Sequence, residues 1–260
     1  ESVQITVLFA ANYVGQFNET FHYKIVGFEE GRPSITFYGR VIGASYSIST
    51  NKIDFGNVSY GFLYSKEFEI SNTSSIPFDY ALTFKQDKSF DIREFSIRPS
   101  LGSVPKYSKQ IIHVEFIPIS VQTYEISLLI AGTKSEENYG SMKIYANCIC
   151  PVISLSENVI DLGNLFIHHE YTTCVNLVDD SDFPAKYEFI EVDDESTHDM
   201  AISFVKYKGS LSPHSTFSAP IKVIPKQLGH LQLFRSIRIY GSNLPPIDYT
   251  IKCLCTGPNL

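Results

Sequence analysis

The feature that most restricts this chain is an internal repeat with a spacing of 107 residues. IDFGNV begins at Ile53, and IDLGNL begins at Ile160. The spacing continues without gaps: Ser49 falls on Ser156, Asn51 on Asn158, Pro77 on Pro184, Tyr80 on Tyr187, Gly102 on Gly209, Pro118 on Pro225 and Cys148 on Cys255. It also runs backwards, from Phe116 to Phe9, Tyr124 to Phe17 and Cys148 to Val41. A period this long exceeds that of helical hairpin repeats, roughly 33–47 residues. It suits a seven-stranded β-sandwich of about 100 residues. Residues 1–43 read as the closing strands of one repeat, and residues 46–150 and 152–257 read as two complete ones. Such a start within a repeat is expected of a piece taken from a longer array.

Local patterning agrees with strands. Residues 66–71 (KEFEIS) put Phe68 and Ile70 on one face, and residues 111–117 (IIHVEFI) align Ile112, Val114 and Phe116. Residues 124–130 (YEISLLI) align Tyr124, Ile126, Leu128 and Ile130, and residues 142–148 (MKIYANC) align Met142, Ile144, Ala146 and Cys148. Alternation of this kind marks strands with one buried and one wet face. Turns are expected at Asn72-Thr73-Ser74-Ser75, Leu101-Gly102-Ser103, Gly132-Thr133-Lys134 and Asn243-Leu244-Pro245-Pro246. No long amphipathic helix is visible. The junctions Gly43-Ala44-Ser45 and Ile149-Cys150-Pro151 are short, which predicts a semi-rigid rod of all-β, immunoglobulin-like sandwiches.

Composition narrows the function classes. Phe (19) and Tyr (16) are abundant, which favours strands, and the formal net charge is −7. That balance argues against nucleic acid, which demands a basic face. No Lys/Arg run suits anionic lipid, and no apolar stretch reaches the roughly 18 residues that a spanning helix needs. The five cysteines are Cys148, Cys150, Cys174, Cys253 and Cys255. Neighbours at i and i+2 on a strand share a face and are poorly placed to pair with each other. They read as reduced, partly buried thiols. A zinc site from both pairs lacks the usual CxxC spacing.

Chemistry is sparse. His22 and His113 lie in strand patterns, His168-His169 falls at a turn, and His198, His214 and His230 are scattered among polar residues. No nucleophile elbow, HExxH or phosphate-binding loop accompanies them. Acidic residues cluster at Asp179-Asp180-Ser181-Asp182 and from Glu191 to Asp199, without an EF-hand pattern. They read as solvated loop charge. Sequons at Asn18, Asn57 and Asn72 matter only in a secreted protein. No catalytic residue, metal, cofactor, small-molecule substrate, nucleic acid or membrane is expected.

The stretch from Ile53 to Leu82 resembles the opening of an ASH domain, the abnormal-spindle and hydin type related to major-sperm-protein and PapD-like folds. The likeness lies in Phe55, Gly56, Val58, Gly61, Phe68, Ile70, Asn72, Ser74 and Pro77, with Phe116 and Pro118 as the later Phe-x-Pro element. Leu162, Gly163, Pro184 and Pro225 repeat it in the following copy, where His168 replaces Gly61 and Asp179 replaces Asn72. Phe55 is expected to anchor the first strand, Gly56 to allow a bend, Asn72 to bond its own backbone at a turn, and Pro77 and Pro118 to sit where no ladder donor is needed. The resemblance implies a structural, non-enzymatic segment of a motile-cilium axonemal protein. It also implies docking through loops and edge strands to other axonemal or cytoskeletal proteins, tubulin among them. The basic peptide-gripping face of some relatives is not expected, since residues 66–85 hold only Lys66 and Lys85 as basic residues. An extracellular adhesion module is the alternative. The absence of Trp, and hence of a Cys…Trp…Cys core, counts against it.

Overall fold

Alternating apolar strands of this kind can bury one face only by packing sheet on sheet. The computed structural model shows that arrangement. It describes residues 4–11, 13–27, 33–85, 90–132, 138–190 and 199–257. Lys134, His198 and residues 191–198 of the second acidic cluster lie outside these.

A hairpin of β1 (Gly15–His22) and β2 (Ser34–Val41) comes first. The next elements are β3 (Tyr46–Ile48), β4 (Lys52–Ser59), β5 (Tyr64–Asn72), β6 (Phe78–Phe84), β7 (Phe95–Arg98), β8 (Leu101–Val104), β9 (Lys109–Phe116), β10 (Thr123–Ala131) and β11 (Asn138–Ile149). They form a five-stranded sheet, β4-β11-β10-β6-β8, and a four-stranded sheet, β3-β5-β9-β7. A second sandwich follows from β12 (Ile153–Leu155), β13 (Val159–Phe166), β14 (Tyr171–Asp179), β15 (Ala185–Ile190), β16 (Met200–Phe204), β17 (Lys208–Leu211), β18 (Ser215–Pro225), β19 (Gly229–Ile239) and β20 (Ile247–Thr256). Its sheets run β13-β20-β19-β15-β17 and β12-β14-β18-β16, the same order one repeat later. The seven strands of each repeat are present, with two of them broken in each repeat as the chain passes from one sheet to the other. Pro99 lies in the break between β7 and β8, where it removes a ladder donor.

The 107-residue spacing governs pairing as well as sequence. Gln16 pairs with Arg40, Thr123 with Asn147 and His230 with Leu254, each pair shifted by one repeat. Each core is a layer of inward residues. Phe68, Ile70, Ile112, Val114, Phe116, Tyr124, Ile126, Leu128, Ile130, Met142, Ile144, Ala146 and Cys148 are all buried in the first, as their alternation predicts. Val175, Leu177, Ile221, Val223, Leu231 and Leu233 fill matching positions in the second. Among the described residues, the helical content is one 3-10 turn, Ile92–Glu94.

One expected turn is in fact strand. Leu101-Gly102-Ser103 lies in β8, paired with β6. The glycine is there for a ring: a Cβ on Gly102 would lie 2.9 Å from the Tyr80 hydroxyl. Gly209 stands in the same relation to Tyr187, at 2.5 Å. The remaining turns at Asn72–Ser75 and Asn243–Pro246 lie where sequence put them, and the Gly132 turn extends into undescribed residues.

Candidate docking surfaces

β4 ends at Ser59, and a tight turn through Tyr60, Gly61, Phe62 and Leu63 leads into β5. The turn is pinned to its own sandwich. The Ser59 amide donates to the Tyr64 hydroxyl at 2.7 Å, and the Gly61 amide donates to the Pro118 carbonyl at 2.7 Å. Gly61 has φ +74, which glycine adopts without steric cost.

The same turn is seated on the second sandwich. Ser59 Oγ donates to the Pro184 carbonyl, and Lys186 Nζ donates to the Gly61 carbonyl. The Lys186 ammonium also sits 5.0 Å from the centre of the Phe62 ring, a contact worth about 0.5–1 kcal/mol when exposed. Tyr60 lies parallel to Tyr240, with ring centres 6.5 Å apart. Gly241, at φ +79, leaves room for it: a Cβ there would lie 2.7 Å from Tyr60 Cγ. Cys150 Sγ donates to the Tyr240 carbonyl at 3.5 Å. Ser59 is consequently 1% exposed. These contacts, together with the short covalent link, fix the orientation of one sandwich on the next.

One repeat later the equivalent turn is exposed at Phe166, His168 and His169. Phe166 is 55% exposed where Ser59 is buried. Its backbone is nevertheless held alike: the Phe166 amide donates to the Tyr171 hydroxyl at 2.8 Å, and the His168 amide donates to the Pro225 carbonyl at 2.9 Å. His168 takes φ +62, the left-handed conformation that Gly61 takes at the equivalent place. At the opposite end of the first sandwich Pro77, the counterpart of Pro184, is exposed.

The motif residues serve these turns and the core. Phe116 and Val58 are fully buried. Phe55 is half-buried against Phe116, with ring centres 5.4 Å apart, and Leu162 packs on the second core. Gly56 and Gly163 take φ +68 and +65, where the parallel pairs β4·β11 and β13·β20 shift register. Pro118 and Pro225 are buried acceptors for the turns just described. Asn72 closes an Asx turn by accepting from the Ser74 amide at 2.9 Å. Its Nδ2 lies within hydrogen-bond distance of the carbonyls of Ile76, Val104 and Pro105. Asp179 repeats the turn, accepting from the Ser181 amide at 2.9 Å, but its buried Oδ2 has no partner.

Edge strands offer the other contact surfaces. β4 and β8 bound one sheet, β13 and β17 its counterpart. Leu101 on β8 is 68% exposed. Lys52–Asp54 and Lys252–Asp161 ion pairs stud the β4 and β13 sides, a charge placement that discourages indiscriminate edge pairing. In the hairpin, Phe21 and Ile35 are exposed, although their counterparts Leu128 and Met142 are fully buried. Phe21 borders, with Phe9, Phe17 and Tyr38, a cleft of about 600 Å³.

Little here suits reaction chemistry. The five cysteines are free thiols. Burial pushes the Cys148 thiol up to about 12 and raises Cys150, Cys253 and Cys255, away from the nucleophilic thiolate. Asp182 Oδ1 lies 2.7 Å from His214 Nε2, so part of the first acidic cluster is paired, and Asp179 is folded into its turn. His113 meets Glu67 at 2.9 Å. No group of three or more His, Cys, Asp or Glu among the described residues could hold a metal ion. Asn72 of the third sequon is buried. Among the described residues, no helix is long and apolar enough to cross a membrane.

Residues 44–147 match the model of the HYDIN/CFA65/VesB-like Ig-like domain. Beyond this segment, the hydrocephalus-inducing protein of Mus musculus is 26% identical over 284 residues, covering 99% of this chain and 6% of that protein. The Homo sapiens homolog is 26% identical over 280 residues, covering 98% of this chain and 5% of its own length. The chain therefore spans about one-twentieth of the length of these relatives. Among solved structures, the ASH/PapD-like domain 7 of human CEP192 is 16% identical with a TM-score of 0.33, covering 40% of this chain and 84% of that one.

Two features of these sandwiches escaped sequence reading. Asp54 accepts from the Gly56 amide at 2.9 Å, and Asp161 accepts from Gly163 at 3.0 Å, so the aspartate closes each bulge. Its identity in both copies was the available clue. Lys186 and Gly241 were missed because their role exists only where two domains meet. Neither has an identical counterpart in the preceding copy, where Asp79 and Lys134 stand.

Proposed function

We propose that this chain is a scaffold segment of a large motile-cilium axonemal protein, of central-apparatus type, that docks neighbouring proteins or microtubules through its turns and edge strands. Kinship with the hydrocephalus-inducing proteins over nearly the whole chain supports a cilium-associated structural role. The observation that carries the scaffold reading is the seated turn, Ser59 on Pro184 and Lys186 on Gly61. It turns two sandwiches into one oriented unit, which suits spacing and presentation rather than turnover. The chain divides into closing strands over 1–43 and complete repeats over 46–150 and 152–257. The motif residues Phe55, Gly56, Val58, Gly61, Asn72, Pro77, Phe116, Pro118, Leu162, Gly163, Pro184 and Pro225 shape this frame and do no chemistry. The protein works without catalysis or cofactor, in the ciliary or flagellar cytoskeleton, with other ciliary proteins as partners and tubulin among them. The test is deletion of residues 44–257 from the native protein in motile ciliated cells, followed by electron tomography of the axoneme. Loss of a discrete density is expected; an unchanged axoneme with the truncated protein diffuse in the cytoplasm would overturn the reading.

A further inference from the structure

One row of side chains crosses the outer face of both five-stranded sheets, and the two copies fill it with opposite chemistry. In the second sandwich Lys208 on β17, Glu188 on β15 and Arg238 on β19 stand side by side, with Lys208 Nζ 2.9 Å from the Glu188 carboxylate. In the first, the same places on β8, β6 and β10 hold Leu101, Ala81 and Ala131. The flanks are reversed as well. Arg98 and Lys106 stand before and after β8, whereas Val205 and Pro213 hold those places around β17. Arg98 and Lys106 are exposed, and among the described residues neither has an acidic partner. The main chain of β8 is open on one side. Bonded and unbonded pairs alternate along an antiparallel ladder. The Leu82 amide donates to the Ser100 carbonyl at 2.7 Å, so Leu101 and Ser103 turn their amides and carbonyls away from β6. β8 ends its sheet, and among the described residues no strand lies beyond it. Natural sheets guard such edges with charge. β4, β13 and β17 do so through Lys52–Asp54, Lys252–Asp161 and Lys208–Glu188, but Leu101-Gly102-Ser103-Val104 bears no charge.

We propose that the open side of β8 accepts an extended segment of another protein as an added strand, one with apolar residues at alternate positions and carboxylates beyond both ends. This rests on the edge docking proposed above and names the edge and the chemistry of its partner. The added strand pairs with the main chain of Leu101 and Ser103. Its apolar side chains cover Leu101, which is otherwise 68% exposed, and its carboxylates meet Arg98 and Lys106. The β17 edge rejects the same segment, because the Lys208–Glu188 pair would lose water without gaining a partner. Two sandwiches of one fold therefore differ in what their matching edges admit.

The test places photoreactive benzoylphenylalanine at Ser103, or at its counterpart Ser210, in the native protein of ciliated cells, and reads the crosslinked peptides by mass spectrometry. Ser103 is expected to capture a peptide of another protein that shows this alternation between acidic ends, and Ser210 is expected not to capture it. Leu101→Lys and Arg98→Glu, both at exposed positions, are each expected to lower the yield roughly tenfold. The same variants carrying the photoreactive residue at Tyr60 should still crosslink to the peptide holding Tyr240, which reports an intact fold. Capture of a second copy, of the same polypeptide or of a segment without the pattern, such as an unbroken acidic tail, would overturn the proposal. So would an undiminished yield in either variant, or no crosslink from Ser103. Each of these leaves the scaffold reading standing while the protein keeps its place in the axoneme; a wild-type protein diffuse in the cytoplasm would overturn both.

Discussion

Asn72 and Asp179 occupy the same turn with different chemistry. The Asn72 amide donates into a nest of carbonyls, whereas Asp179 puts a second oxygen, 0% exposed and unpartnered, in that place. A buried acceptor left without a partner costs roughly 1–3 kcal/mol. Asp179→Asn is therefore expected to stabilise the chain by about that amount, and Asn72→Asp to destabilise it comparably, measured by urea unfolding at neutral pH. The contrast shows what sequence could and could not supply at this scale. The turn itself was legible, because Asn and Asp both bond their own backbone two residues on. The deficit was not, since the Asn72 amide is satisfied by carbonyls brought in from 32 and 33 residues away, while the second Asp179 oxygen is left unpartnered.

At the scale of elements, period-two runs placed the inward faces of β5, β9, β10 and β11 correctly, because a strand with one wet face leaves an alternation that little else produces. The first sandwich also holds a polar device that its twin lacks. Glu94, buried at the end of the 3-10 turn, accepts from the Tyr124 hydroxyl at 2.6 Å, the Ile119 amide at 2.8 Å and the Asp91 amide at 3.0 Å. Its counterparts one repeat on are Ala201 and Leu231. Burial, and then the Glu94 carboxylate, raise the Tyr124 hydroxyl well above its ordinary value. Asp91 completes the capping box, and its hydrogen bonds from the Arg93 side chain and then the Arg93 amide hold its carboxyl at about 2. A carboxylate held below its unfolded value stabilises the fold fully above that unfolded value, near 3.9, and loses the contribution as pH falls towards about 2. The difference in thermal midpoint between the wild-type chain and Asp91→Asn is thus expected to be flat above about pH 4 and to shrink between about pH 4 and 2. Calorimetry across that range checks it. Sequence missed this device because the groups meet only after β7 pairs with β9 and the two sheets stack.

For the whole molecule, the junction is the part least visible in sequence. Its contacts join residues 125 positions apart through a surface that only a neighbouring domain creates. Gly241→Val is expected to displace Tyr60 and loosen the two sandwiches without unfolding either, since Gly241 has positive φ and no space for a Cβ. Nuclear relaxation should then report separate tumbling of the two halves, with far-ultraviolet circular dichroism unchanged. Equal tumbling in wild type and variant would remove the junction as the source of order. Mechanics follows from an arrangement described above. β4 and β11, the entering and leaving strands of the first sandwich, lie side by side and parallel, from Lys52 beside Lys143 to Ser59 beside Ile149. Pulling on the chain therefore draws the two strands in opposite directions along their shared ladder. The bonds of that ladder bear load together in shear, instead of parting one by one as in an unzipping hairpin. β13 and β20 repeat the geometry, so each of the two sandwiches resists stretching along a sheared ladder.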